Sequence, residues 1–436
     1  MVPKILVVTA LLTIPAFAQT DPGPRPGQPP APRPVAGLTQ AEMAFFTEGL
    51  DRFREIDSVS GTQPGAEGKG LGPRFNLNSC AGCHAHPVTG GTSPQINPQI
   101  AVATQFGATN TIPSFLSQNG PVRVARFIRK PDGTPDGGVH ALFVISGRSD
   151  AAGCQITQPD FAAARNNLSL RIPTPVFGAG LIEAIPDSAI IANKLANLQL
   201  KARFGIGGHE NRNGNDGTVT RFGWKAQNKS LELFAGEAYN VEQGVTNVIF
   251  PDERDQTPGC GFNATPEDRP DPTANSFFTA MSDITGLTAF MRMLAPPPAG
   301  TPPGPLGASI NNGRQAFAQA GCNLCHTAVM NTANSSTAAL RNQPVQLYSD
   351  LLVHRMGRGL ADGVSQGDAQ GEDWRTAPLW GLGQRLFFLH DGRATDLPQA
   401  IQAHSSPQSE ANGSVATYNA LPANARQDIL NFLRSL

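Results

Sequence analysis

The stretch Cys80-Ala81-Gly82-Cys83-His84 decides the reading, because the same pattern returns as Cys322-Asn323-Leu324-Cys325-His326. Two thiols three residues apart fall on one side of a helical turn, where both can add to the vinyl groups of one haem. The histidine that follows then reaches the iron. CxxCH is the attachment signature of c-type haem, and two copies predict two covalently bound haem c groups held by Cys80, Cys83, Cys322 and Cys325, with His84 and His326 on the irons.

Competing readings use the same residues. A structural zinc site from Cys80, Cys83, His84 and His86 crowds four ligands into seven residues, which is poor tetrahedral geometry. A thioredoxin-like dithiol lacks a βαβ pattern beside it, and the histidine after each pair argues against it. Ordinary disulfides are the third alternative.

Working outward, Gly313-Arg-Gln-Ala-Phe317 precedes the second motif, with Gly and Phe four apart on one helix face. The chain ends in Ile429 to Leu436 with apolar residues at helical spacing. A glycine in the first helix lets the last one cross it closely, which is the cytochrome c plan. An earlier copy lies in Leu38 to Ile56, where Thr39 and Glu42 form a capping box and Gly49 and Phe53 repeat the spacing. There the Gly-rich stretch after Phe53 predicts an inserted loop before Cys80.

The expected architecture is mainly α: two cytochrome c-like haem domains with long loops, and a small β-containing insertion in the first. Strands are expected in 121–129 and 139–146, and helices over Pro186 to Leu200 and Ser230 to Glu242. The Pro and Gly run 295–305 reads as a linker between an N-terminal haem domain, 39–294, and a C-terminal one, 306–436.

Lys4 followed by the apolar run Ile5 to Phe17, with a small-residue cut after Ala18, reads as a signal peptide over 1–18 and predicts a periplasmic protein. Residues 19–38 are expected to form an extended Pro-rich leader. No segment is long enough for a membrane span. With 33 basic and 34 acidic residues, the chain is no nucleic-acid binder by bulk electrostatics. In an oxidising compartment Cys154 and Cys260 are expected to form a disulfide.

What faces each iron opposite the CxxCH histidine decides between electron transfer and peroxide chemistry. Met356, in the polar Gly-rich loop after the second motif, is the expected ligand there, with His354 as the alternative. For the first iron only His140 and His209 suggest themselves. His390 and His404 also lie outside the CxxCH context, as do Met281, Met291, Met293 and Met330.

Trp374 to Trp380 (WRTAPLW) followed by Phe388 to Ala394 (FLHDGRA) resembles the second haem domain of bacterial di-haem cytochrome c peroxidases. With FNLNSCAGCH at 75–84, RFGWKAQ at 221–227 and GVTN at 244–247, the whole resembles the related di-haem oxidoreductase family. The resemblance implies that one haem takes electrons from a small exported redox protein and passes them to the other, which reduces peroxide or a related small-molecule oxidant. It implies Met356 as distal ligand of the electron-receiving haem, Trp224 as a relay between haems, and Glu410 as a proton shuttle. His404 to Glu410 (HSSPQSE) departs from the HGGEA-like segment of that family. A non-catalytic di-haem electron carrier is the alternative.

Overall fold

The computed structural model describes residues 19–26, 32–302 and 304–436. Thirteen α-helices and several short sheets occur among them, so the chain is mainly α with small β elements. Four helices carry the site. They are α1 (Gln40–Arg54), α2 (Asp283–Met293), α3 (Gly304–Gln319) and α4 (Ala423–Ser435).

Helix α1 starts where the Thr39 side chain accepts from the Glu42 amide at 3.2 Å while the Glu42 carboxylate accepts from the Thr39 amide at 2.8 Å. It buries Phe46, Gly49 and Phe53 against α2. The two carboxylate oxygens of Asp268 cap α2, accepting from the amides of Asp283 and Ile284 at 2.6 and 3.0 Å. A Cβ on Gly49 would lie 2.2 Å from the Gly286 carbonyl, so the crossing requires glycine there.

The same arrangement recurs at the C-terminal end. Helix α3 crosses α4, and a Cβ on Gly313 would meet the Asp428 carbonyl at 1.9 Å and the Phe432 Cβ at 2.8 Å. Phe53 packs edge-on against the His84 ring at 5.9 Å, and Phe317 packs at 6.1 Å from the His326 ring. Each helix that begins a unit therefore delivers a phenylalanine to its own CxxCH histidine.

In the chain between α1 and α2 lies an antiparallel sheet in the order β2-β1-β3, with β1 (Val124–Phe127) central, β2 (Val139–His140) on one side and β3 (Leu168–Arg171) on the other. The expected strand 139–146 is broken in two, because Phe143–Val144 leaves to pair with Arg74–Phe75. A second antiparallel pair, β4 (Val353–Arg355) and β5 (Asp373–Arg375), sets His354 opposite Trp374. Cys154 and Cys260 are joined by a disulfide, packed in a cluster with Phe75 and Phe143. The expected helix 186–200 is likewise two helices, since Asn197 turns left-handed between Asp187–Leu195 and Leu198–Phe204.

The described residues of the expected Pro-rich leader dock on the C-terminal helices and loops. Asp21 takes two hydrogen bonds from the buried Arg434 guanidinium, both at 2.6 Å, and Arg25 donates its amide to the Gly383 carbonyl at 2.6 Å. The anchors are the polar residues between the prolines, Asp21 and Arg25. Within the expected linker, helix α3 already begins at Gly304. The expected signal peptide, 1–18, lies outside the described residues, and among those described no helix is long and apolar enough to cross a membrane.

Candidate functional site

Each CxxCH segment opens onto its own cavity. Cys80, Cys83 and His84 line a first cavity of about 1090 Å³, and Cys322, Cys325 and His326 line a second of about 1380 Å³, both volumes counting the open mouth. The walls are largely apolar, as a flat aromatic macrocycle requires.

The two histidines are prepared in the same way. His84 donates Nδ1–H to the Gly91 carbonyl at 2.9 Å, and His326 donates Nδ1–H to the Tyr348 carbonyl at 3.0 Å. A carbonyl can only accept, so in each neutral ring the proton sits on Nδ1 and Nε2 carries the lone pair, the tautomer an iron ligand needs; the Thr174 carbonyl also lies close to the His84 ring. Burial lowers both imidazoles to about 4, so both are neutral at pH 7.

The thiols bear on the alternatives. Burial raises Cys80 and Cys83, and lifts Cys322 to about 12, the opposite of an activated redox dithiol. The zinc set around Cys80 does not assemble, because His86 Nε2 turns away to the Gln384 carbonyl at 2.6 Å. Among the described residues the one cluster of three metal-type donors is Cys325, Asp350 and His354.

His354 does not fit iron. Its Nδ1 meets the Glu410 carboxylate at 2.8 Å and its Nε2 meets Asp350 at 2.9 Å, so both ring nitrogens are engaged. The Cys325 sulfur and the Asp350 carboxylate hold it well above the ordinary imidazole range despite burial, and with both nitrogens engaged it has no lone pair to give. Glu410, expected as a proton shuttle, is instead saturated. It accepts from His354, from the Gly207 and Gly208 amides at 2.9 Å and from the Arg355 amide at 3.2 Å. Despite partial burial those donors hold its pKa below the ordinary carboxyl value and keep it ionised, which suits an anchor for His354 and not a proton carrier.

Met356 is buried on the wall of the second cavity, packed with Leu360 and Trp374. His404 lines the same cavity and repeats the pattern of the CxxCH histidines: Nδ1–H donates to the Ala400 carbonyl at 2.7 Å, burial lowers its basicity, and Nε2 is left bare. His404 also lies near enough to His326 to disfavour a charge there. His390 stacks on Trp374 with ring centroids 3.8 Å apart.

The first cavity differs. Among the described residues no histidine other than His84 lines it, and Met291 is its methionine. His140 pairs with Asp136 at 2.9 Å and stacks on Phe127, and His209 bridges to Val353, so neither reaches this cavity. Its polar lining includes Gln227, whose Oε1 has no partner, Arg126 from β1, and Glu242, which accepts from Asn76 at 2.9 Å. Burial raises the Glu242 carboxyl above the ordinary value. The sequence signal for Glu242 was absent, since a lone acid in a helical stretch carries no motif.

Among the described residues Trp224 alone lines both cavities. Its indole donates Nε1–H to the Ile172 carbonyl at 2.8 Å, and it also lines a third, smaller cavity of about 540 Å³ that touches both.

A mainly helical chain with paired cysteines and a bare-nitrogen histidine in each of two apolar cavities is built as a redox protein with haem cofactors. Residues 163–436 match the family model described as "Di-haem oxidoreductase, putative peroxidase", well over half of the chain, and the protein belongs to that family. The first CxxCH precedes the matched region. No curated protein matches the chain.

Two solved structures are similar. Hydrazine synthase of Kuenenia stuttgartiensis aligns over 100% of both chains at 11% identity with a TM-score of 0.38. A MauG-like protein associated with microbial copper homeostasis aligns over 53% of this chain and 77% of its own at 16% identity, TM-score 0.29. At these scores neither likeness bears on fold or function here.

Proposed function

We propose that this protein is an exported di-haem c-type enzyme of peroxidase type, with one haem in each of two cytochrome c-like domains, 39–294 and 306–436, and that the haems have different duties. The asymmetry of the cavities carries the reading: a second bare imidazole stands in the second cavity, and none stands in the first. Haem iron, when bound, supplies one-electron transfer, and peroxide reduction where a coordination position stays open.

Cys80 and Cys83 would hold the first haem and Cys322 and Cys325 the second, through thioether bonds. His84 and His326 orient their Nε2 atoms by the hydrogen bonds to Gly91 and Tyr348. In the second cavity the prepared tautomer favours His404 over Met356, which packs as an apolar side chain, as the further residue that would hold the haem iron. Trp224, common to both walls, is the relay residue. In the first cavity Glu242 is the acid able to hold a proton on its carboxyl and release it to a bound oxidant, while Arg126 and Gln227 orient that oxidant. Electrons would come from a small exported redox protein to the second haem.

The oxidised protein is expected to give one high-spin and one low-spin ferric signal by electron paramagnetic resonance, and the half-reduced protein a rapid Soret change with hydrogen peroxide. Two low-spin signals with no response to peroxide would favour the electron carrier instead.

A further inference from the structure

Buried arginines in this protein meet carboxylates. Arg148 pairs with Asp150 at 2.9 Å, Arg171 with Asp362 at 2.6 Å, Arg434 with Asp21 at 2.6 Å, and Arg126 lies in the field of Glu242. Arg375 and Arg385 are exceptions. They are 9% and 7% exposed, and neither forms an ion pair among the described residues. Arg375 Nε donates to the Gly223 carbonyl at 3.0 Å; its other nitrogens and the whole Arg385 guanidinium have no protein partner there.

A guanidinium does not shed its proton, so burying it without a counter-charge is costly, and burying two side by side more so. Burial depresses each to about 10, and Arg385 adds to the effect on Arg375, so the two are close enough to repel. Both face the second cavity where it adjoins the third; Cys322 and Cys325 line the second cavity but not the third. Glu410, the acid on the wall of the second cavity, is already taken up by four donors. Among the described residues no side chain on these walls offers the missing negative charge, which leaves it to a ligand.

Haem carries two propionates on the edge opposite its vinyl groups. Thioether bonds would fix the vinyl edge at Cys322 and Cys325, leaving the propionates to the far side. We propose that Arg375 and Arg385 receive the propionate edge of the haem in the second cavity, where that cavity opens onto the third beside Trp224. This rests on the haem reading of that cavity. The fork of each guanidinium matches a carboxylate. Two fixed cations beside the macrocycle also favour the reduced form and raise the potential of this haem, as an electron-receiving site requires.

The test uses full-length holoprotein carrying Arg375→Leu or Arg385→Leu, with haem content by pyridine haemochrome, the propionate bending mode by resonance Raman, and midpoint potentials by spectroelectrochemistry. Covalent haem is retained in the expected result, the propionate mode of the second haem shifts, its potential falls, and that potential becomes more dependent on pH as the freed propionate titrates. Full haem content with mode and potential both unchanged overturns the proposal. Should a leucine variant not fold, Arg385→Lys keeps the charge but loses the fork; an unshifted propionate mode there also overturns it. A wild-type chain matured without haem in the second cavity would defeat the parent reading, a distinguishable result.

Discussion

Trp224 meets Trp374 edge-on, with ring centroids 6.4 Å apart and planes at 82°, and Trp374 in turn stacks on His390. The contact joins the wall shared by both cavities to the interior of the second. Lys225 Nζ lies 4.1 Å from the Trp374 ring centre, so a cation is held against the same aromatic group.

Replacing Trp224 by Phe keeps an aromatic ring on both walls and removes the hydrogen bond to Ile172. Haem content should be unchanged, while electron transfer between haems should slow by about tenfold or more, equivalent to about 1.4 kcal/mol of barrier. Stopped-flow absorbance after mixing half-reduced protein with peroxide measures it; an unaltered rate removes Trp224 from the path.

His404 and Met356 give opposite expectations. Met356→Leu conserves volume and should cost less than about 1.5 kcal/mol in stability, with the low-spin signal intact. His404→Ala should abolish that signal and turn the second haem high-spin. The reverse pattern in the resonance spectra would return the ligand to Met356.

Gly313→Ala places a methyl 1.9 Å from the Asp428 carbonyl, forcing α3 and α4 apart. A loss of about 1–3 kcal/mol or more is expected in denaturant unfolding. Gly214→Ala, with nothing within 4 Å, should be near neutral and serves as the control.

Glu253 is pushed up to about 7, first by burial and then by Glu267 and Asp255, and its Oε2 is buried without a partner. An acid with a raised folded pKa keeps its proton longer in the folded chain. Its contribution therefore favours folding at low pH and is lost as pH climbs from about 4.3, the unfolded value, through the folded value. Glu253→Gln should raise stability at about pH 8 by on the order of 1 kcal/mol, discounted for its partial exposure, and leave it unchanged near pH 4. Thermal melts at the two pH values check the sign.

Much of the framework was legible in local sequence. CxxCH is a contiguous chemical unit, and Gly–Phe spacing on α1 and α3 follows from helical periodicity alone, so the elements that present His84 and His326 were visible before any fold. The capping box at Thr39 and Glu42 is equally local. Strand 139–146 was misjudged because its second half pairs with Arg74–Phe75, a partner chosen by distant chain.

The sequence by itself determined which residues can be joined to haem and which helices flank them, since those depend on spacing along one backbone. Only the tertiary structure decided which further rings on the cavity walls keep a nitrogen free. His354 and His404 look alike in a string of letters; Asp350 and Glu410 engage both nitrogens of one, while the Ala400 carbonyl takes a single proton from the other and leaves its lone pair free. Ligand strength belongs to the hydrogen bonds a ring makes, and those partners come together only when the chain has folded.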